Sequence, residues 1–96
     1  MGNPNIEHLI LREGMEYPFD YTLQHLHDAG YLRVTKVNQE GYYSVRGGII
    51  QVHPFGSKEA ITIDYFGDQI DSIKSSRGKL SFVCIQPFNS DPSDGL

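Results

Sequence analysis

Two histidines, His25 and His27, sit two residues apart in "EYPFDYTLQHLHDAGY" and are the first side chains to weigh as metal ligands. On a helix that spacing turns them about 200° apart, so they cannot share an ion without outside ligands. Four histidines and one cysteine give no zinc spacing. Serine, histidine and aspartate all occur, but no nucleophile-elbow pattern joins them. "FGSKE", residues 55–59, looks like a phosphate loop only superficially: its lysine does not follow the glycine, and the spacing G-x-x-x-x-G-K-[ST] is missing. Asp64 and Asp68 flank "YFG" and imitate a carboxylate pair, but a turn between them makes one a strand-face acid and the other a turn residue. Cys84, within "LSFVCI", reads as a small buried hydrophobe rather than a nucleophile. No catalytic residue, metal ligand set or cofactor is expected, which leaves a binding module.

Composition narrows the partners. A chain of 96 residues makes one small domain. Its net charge of −4 argues against a non-specific grip on nucleic acid, which needs a dense basic surface to release counterions. No apolar run approaches the roughly 20 residues of a membrane span. The polar start "MGNPNIEH" is no signal peptide, and a lone cysteine fits a reducing compartment, so a soluble cytoplasmic protein is expected. Residues 1–5 and 89–96 ("NSDPSDGL") are rich in turn formers and read as flexible ends, leaving residues 6–88 as the single domain.

The elements that must position any site follow from periodicity. "IEHLILREG" suits a short strand with Leu9 and Leu11 on one face. One helix follows, with Asp20 as a plausible N-cap, Leu23 and Leu26 on one face, Phe19 just outside its start and Gly30 ending it. "YLRVTKV" offers a strand with Leu32 and Val34 inward, and "NQEG" turns the chain. "AITIDYF" alternates cleanly, with Ile61, Ile63 and Tyr65 opposite Thr62 and Asp64. Gly67 and Asp68 signal a hairpin, from which "QIDSIK" returns. "SSRG" turns again, and "KLSFVCIQ" reads as a last, mostly buried strand. Short strands joined by tight turns, with one helix over a face, predict a small antiparallel sheet in an α+β domain.

"YYSVRGGIIQVH" holds the least expected pattern. Its apolar residues fall on odd positions (Tyr43, Val45) before the glycines and on even ones (Ile50, Val52) after them. A strand cannot change faces without an extra residue or a sharp bend. Gly47 and Gly48 are therefore read as a bulge or bend, which leaves Arg46 on the non-core face beside it. Tyr65 and Phe66 are adjacent, so period 2 puts their rings on opposite faces. Both are carried forward as candidate interface anchors.

Taken together, "REGMEYPFDYTLQHLHDAGYLRV" and "EGYYSVRGGIIQVHPFGSKEAITIDYFGDQIDSI" resemble the UvrB-interaction domain, a module of bacterial transcription-repair coupling factors and of the excision-repair helicase UvrB. Gly41, Tyr43, Val45, Arg46, Gly47, Ile49, Ile50, Val52, Pro54, Ile63, Asp64, Phe66, Gly67, Asp68, Ile70 and Ile73 match the family pattern. The resemblance implies a docking domain for UvrA, without catalysis, whose parent is an ATP-driven motor. It implies a contact face carrying Arg33, Arg46 and Asp64. This chain departs from the pattern at Thr62, where the family has arginine, and at Ser44, Gln51 and His53. The alternative is a diverged module with another protein partner, or with other domains of the parent chain. Direct DNA contact through Arg33, Lys36, Arg46 and Lys58 is disfavoured by the acidic balance. Partner-binding residues are thus expected at Arg33, Arg46, Thr62, Asp64, Tyr65 and Phe66, and structural roles at Gly47, Gly48, Gly67 and Asp68.

Overall fold

A computed structural model describes residues 7–88, and the expected loose ends, 1–5 and 89–96, lie outside them. Among the described residues the order is β1 (Leu9–Arg12), α1 (Phe19–Asp28), β2 (Leu32–Arg33), β3 (Tyr42–Arg46), β4 (Ile49–Val52), β5 (Ile61–Phe66), β6 (Gln69–Ser75), β7 (Gly78–Leu80) and β8 (Phe82–Ile85). Strands β2 to β7 form one six-stranded sheet in sequence order, and β1 pairs with β8 in a separate two-stranded ribbon. The fold is α+β, with one helix and a mostly antiparallel sheet of short strands.

One face of the six-stranded sheet makes the core. Tyr43, Val52 and Ile61 line up across β3–β5, as do Ile50, Ile63 and Ile73 across β4–β6, and all six are buried. Leu26 and Ala29 of the helical segment and Leu11, Val83 and Ile85 of the ribbon complete the same buried cluster. Burying each large aliphatic side chain contributes about 1.5–3 kcal/mol, so this layer is the main source of stability.

The helix ends are held by different means. At its C-terminus Gly30 has φ 96°, the Tyr31 amide reaches the Leu26 carbonyl at 2.9 Å, and the Gly30 amide reaches that of His27 at 3.1 Å. This is a Schellman motif, and it needs the left-handed residue that the sequence supplies. At the N-terminus Asp20 is not the cap. Pro18 occupies that position without a side-chain bond, and Asp68 Oδ1 accepts the Phe19 amide at 3.0 Å instead. Asp20 lies inside the first turn, where its charge favours the helix dipole.

The structure corrects four further expectations. Gly47 and Gly48 do not bend one strand; they are the two-residue turn of a hairpin in which Arg46 faces Ile49 and Val45 faces Ile50. Paired residue numbers in such a hairpin sum to an odd number, so the inward face switches parity at the turn without a bulge. Gly47 has φ 61° and Gly48 does not have positive φ, the pattern of a type II′ turn. Second, β2 is only two residues long and runs parallel to β3, and Leu32 is exposed rather than inward. Third, "KLSFVCIQ" is two strands: Lys79 and Leu80 extend the large sheet, then a bend at Ser81 lets residues 82–85 pair with β1. Cys84 is accordingly half-buried. Fourth, His25, rejected as a metal ligand and so read as a solvated side chain, is not simply solvated. Its Nε2 is buried without a hydrogen-bond partner, and desolvation lowers the imidazole pKa, opposed by Asp28 and by the Glu7 backbone.

Candidate protein-docking surface

Among the described residues, no helix covers the face of the large sheet turned away from the core. Alternation along β5 sets its residues: Ile61, Ile63 and Tyr65 are buried, while Thr62 and Asp64 are half-buried and Phe66 is exposed. Hydrogen-bond register then builds two rows across the strands. Arg46, Ile49, Asp64 and Ser72 make the first; Ser44, Gln51, Thr62, Lys74 and Lys79 make the second. Arg46 and Asp64 are two strands apart, roughly 9.5 Å at normal strand spacing. Ile49 lies between them.

Neither charge is neutralised by an ion pair among the described residues. Among the described residues the ion pairs are Arg77 with Glu59 at 3.9 Å and Lys79 with Glu13 at 3.7 Å. Arg46 and Asp64 enter neither. Phe66 is 81% exposed and Ile49 41% exposed, so one apolar side chain lies between the two charges and another beside Asp64 on the same strand. Ordinary surface apolar residues are scattered singly; two beside unpaired charges on an uncovered sheet face form a patch suited to a protein partner.

Two depressions mark this face. A groove of 480 Å³ lies over β3–β5, walled on one side by the segment 35–38 that follows β2. A second, of 570 Å³, includes Asp64, Asp71, Lys74 and Lys79. Asp71 is there because β6 carries a bulge: Tyr65 pairs with Ile70 and Asp64 with Ser72, leaving Asp71 unmatched. No grouping among the described residues has the make-up of a metal site.

Of the residues singled out in the sequence, Arg46, Thr62, Asp64 and Phe66 come together on this face. Tyr65 does not. It is 6% exposed, its hydroxyl lies 2.5 Å from Thr22 Oγ1, and its ring meets Phe19 edge-on at 5.1 Å. Burial raises its pKa, partly offset by the Thr22 bond. Arg33 pairs with Tyr43, whose side chain is on the core side, so register places it on the other face at the sheet edge. Gly48 sits where an added Cβ would come within 3.0 Å of the Tyr65 carbonyl oxygen, and the Tyr65 amide donates to the Gly48 carbonyl at 2.8 Å. Gly67, with φ 66°, turns β5 into β6, and Asp68 ties that turn to the helix.

The comparison with known proteins is decided by one match. The family model of the UvrB interaction domain covers residues 9–80. The chain belongs to the UvrB interaction domain family. It is similar to the transcription-repair-coupling factor of Haemophilus influenzae, 30% identical over 93 residues, covering 90% of this chain and 8% of that protein. The Bacillus subtilis transcription-repair-coupling factor is 33% identical over 90 residues, covering 92% of this chain and 8% of its own. UvrABC system protein B of Thermosipho africanus is 39% identical over 64 residues, covering 67% of this chain and 10% of that protein. The chain therefore spans a tenth or less of the length of these relatives.

In this UvrB interaction domain, sequence reasoning missed Ile49, Lys74 and Lys79 on this face, and weighed Lys36 only for DNA contact. Ile49 is outward under either reading of the double glycine, but only the two-residue turn sets it opposite Arg46. Lys74 and Lys79 reach Thr62's row only through the β5–β6–β7 meander. Lys36 lies in an irregular segment and carries no periodic signal. No helix among the described residues is long and apolar enough to cross a membrane.

Proposed function

We propose that the chain is a non-catalytic docking domain that binds UvrA through the uncovered sheet face. The observation that carries this reading is the juxtaposition of Arg46, Ile49 and Asp64 in one register row, with Phe66 beside them, in a member of the UvrB interaction domain family. The two charges enter no ion pair among the described residues, and the apolar side chains between and beside them supply area that gains by leaving water. The domain contributes recognition, while nucleotide chemistry belongs to other parts of a longer parent protein. Titrating the 96-residue chain with purified UvrA by calorimetry tests this, with a saturable, salt-sensitive heat expected. Absence of heat at tens of micromolar, with the chain folded by circular dichroism, sinks it.

Thr62 favours a second reading, in which the same face serves a different protein or another domain of the parent chain. Its hydroxyl cannot form the bidentate pair that an arginine makes with a carboxylate. Thr62→Arg separates the two readings: UvrA affinity that appears only in this variant assigns the natural chain to another partner.

A further inference from the structure

The groove beside Arg46 differs from the rest of the sheet face. Its floor is β3–β5, and its wall is the segment from Thr35 to Asn38. Both charged residues lining it are cations, Lys36 and Arg46, and no carboxylate lines it. Neither cation enters an ion pair among the described residues. The chain as a whole carries −4, so this positive groove stands against the charge of the molecule.

The surroundings decide what kind of anion fits. The neighbouring depression is mixed in charge, with Asp64 and Asp71 beside Lys74 and Lys79, so the positive surface does not run on unbroken. A nucleic-acid strand carries a phosphate at every step and would meet those carboxylates on leaving the groove. A peptide can confine its negative charge to the groove itself. Asn38, Gln51 and Thr62 also line it and offer donors and acceptors suited to an extended backbone.

We infer that this groove seats an acidic, extended stretch of a protein partner. Lys36 and Arg46 share its carboxylates, and the amide and hydroxyl groups of the floor and wall hold its backbone. The inference rests on the reading of the sheet face as a docking surface. It adds the partner's chemistry and the 35–38 wall, which brings a second cation to Arg46.

The test is an amide-shift titration of the 96-residue chain with a short synthetic peptide alternating glutamate and serine. Its glutamine-for-glutamate twin and a matched single-stranded thymidine oligonucleotide serve as comparisons. Shifts concentrated at 35–38, 44–46, 49–51 and 62 are expected, with affinity about tenfold above the glutamine twin, as charge-assisted bonds require. Lys36→Glu and Arg46→Glu should each weaken the peptide about fivefold or more, while Lys58→Glu should not. Equal binding of the twin or the oligonucleotide, shifts centred elsewhere, or an indifferent Lys36→Glu would each overturn the inference. Should either reversal disturb the fold, Lys36→Gln and Arg46→Gln carry the same test. UvrA titrated against the same variants keeps the two readings apart. Binding lost in Arg46→Glu but unchanged in Lys36→Glu removes the groove and leaves the docking face. Peptide in the groove without any UvrA binding removes UvrA and leaves the groove.

Discussion

Asp68 Oδ1 accepts the backbone amide of Phe19 at 3.0 Å across 49 residues of sequence, so the turn between β5 and β6 caps the helix. The Tyr17 amide also donates to the Asp68 carbonyl at 2.9 Å, which fixes the approach of the two segments. The same turn follows directly on Phe66, so the exposed aromatic is held by a rigid, doubly tied support. Asp68→Ala should cost about 1 kcal/mol, the usual value of a lost N-cap, and Asp68→Asn clearly less. Urea unfolding of both variants measures it; equal losses would mean that charge rather than capping is what Asp68 supplies.

The Thr22–Tyr65 contact is buried at both ends. Tyr65→Phe strands the Thr22 hydroxyl and should cost about 1–3 kcal/mol. Adding Thr22→Val removes the stranded group and should recover part of the loss. A double-mutant cycle with purely additive losses would show that the two hydroxyls do not depend on one another.

Alkaline pH should weaken the domain. Burial pushes the hydroxyl pKa values of Tyr31 and Tyr65 upward, and Tyr31 is further engaged by the Gln86 carbonyl and the Phe55 amide. Both groups stay protonated in the fold after the unfolded chain begins to ionise near pH 10. The unfolded state then binds fewer protons, so stability is complete below about pH 10 and falls as pH rises above it. Urea midpoints taken on either side of that value should show the decline, and Tyr65→Phe should flatten it. A flat profile in the parent chain would contradict the burial of these hydroxyls.

How much of this was legible in the sequence depends on how local the determining contacts are. The β5–β6 hairpin was readable because alternation and "GD" lie within one short span, and Gly30 announced the helix end. The helix N-cap was not, because its acceptor comes from residue 68 and only the fold brings it near. The β3–β4 hairpin was half-visible: the parity switch was detected at Gly47 and Gly48, but a bend and a two-residue turn produce the same switch in a list of residues. The break at Ser81 had no local signal, since it reflects the pairing of Val83 with Leu11. On the proposed docking face, Arg46, Thr62 and Asp64 follow from strand alternation alone. The exclusion of Arg33 requires knowing that β2 runs parallel to β3 with Arg33 opposite Tyr43.

Gly48 should tolerate no side chain, for a reason unrelated to its own dihedral angles. An added Cβ meets the Tyr65 carbonyl oxygen at 3.0 Å, a backbone atom that cannot rotate aside. Gly48→Ala therefore requires the β4–β5 backbone to give by a few tenths of an ångström at the point where the Tyr65 amide bonds to Gly48, at a cost of about 1–3 kcal/mol. Gly67→Ala makes a useful contrast: nothing lies near its added Cβ, and only its φ of 66° resists. Thermal unfolding should find Gly48→Ala with the more perturbed Tyr65 amide exchange, and unchanged protection there would argue against the clash.

Recognition and stability should separate cleanly at Phe66 and Arg46. Phe66 is 81% exposed and Arg46 is exposed without an ion pair, so neither contributes appreciably to the core. Phe66→Ala and Arg46→Glu should each leave unfolding free energy within about 0.5 kcal/mol of the parent chain. Against UvrA the same changes should act strongly. Truncating a central aromatic anchor costs about 2 kcal/mol or more, and reversing a charge that meets a carboxylate in a desolvated contact costs at least as much. Tyr65→Phe should do the opposite, lowering stability while leaving affinity unchanged once the folded fraction is accounted for. Calorimetric titration paired with urea unfolding on the three variants gives both quantities. If Tyr65→Phe weakened binding as much as Phe66→Ala, the assignment of these adjacent rings to core and surface roles would be wrong.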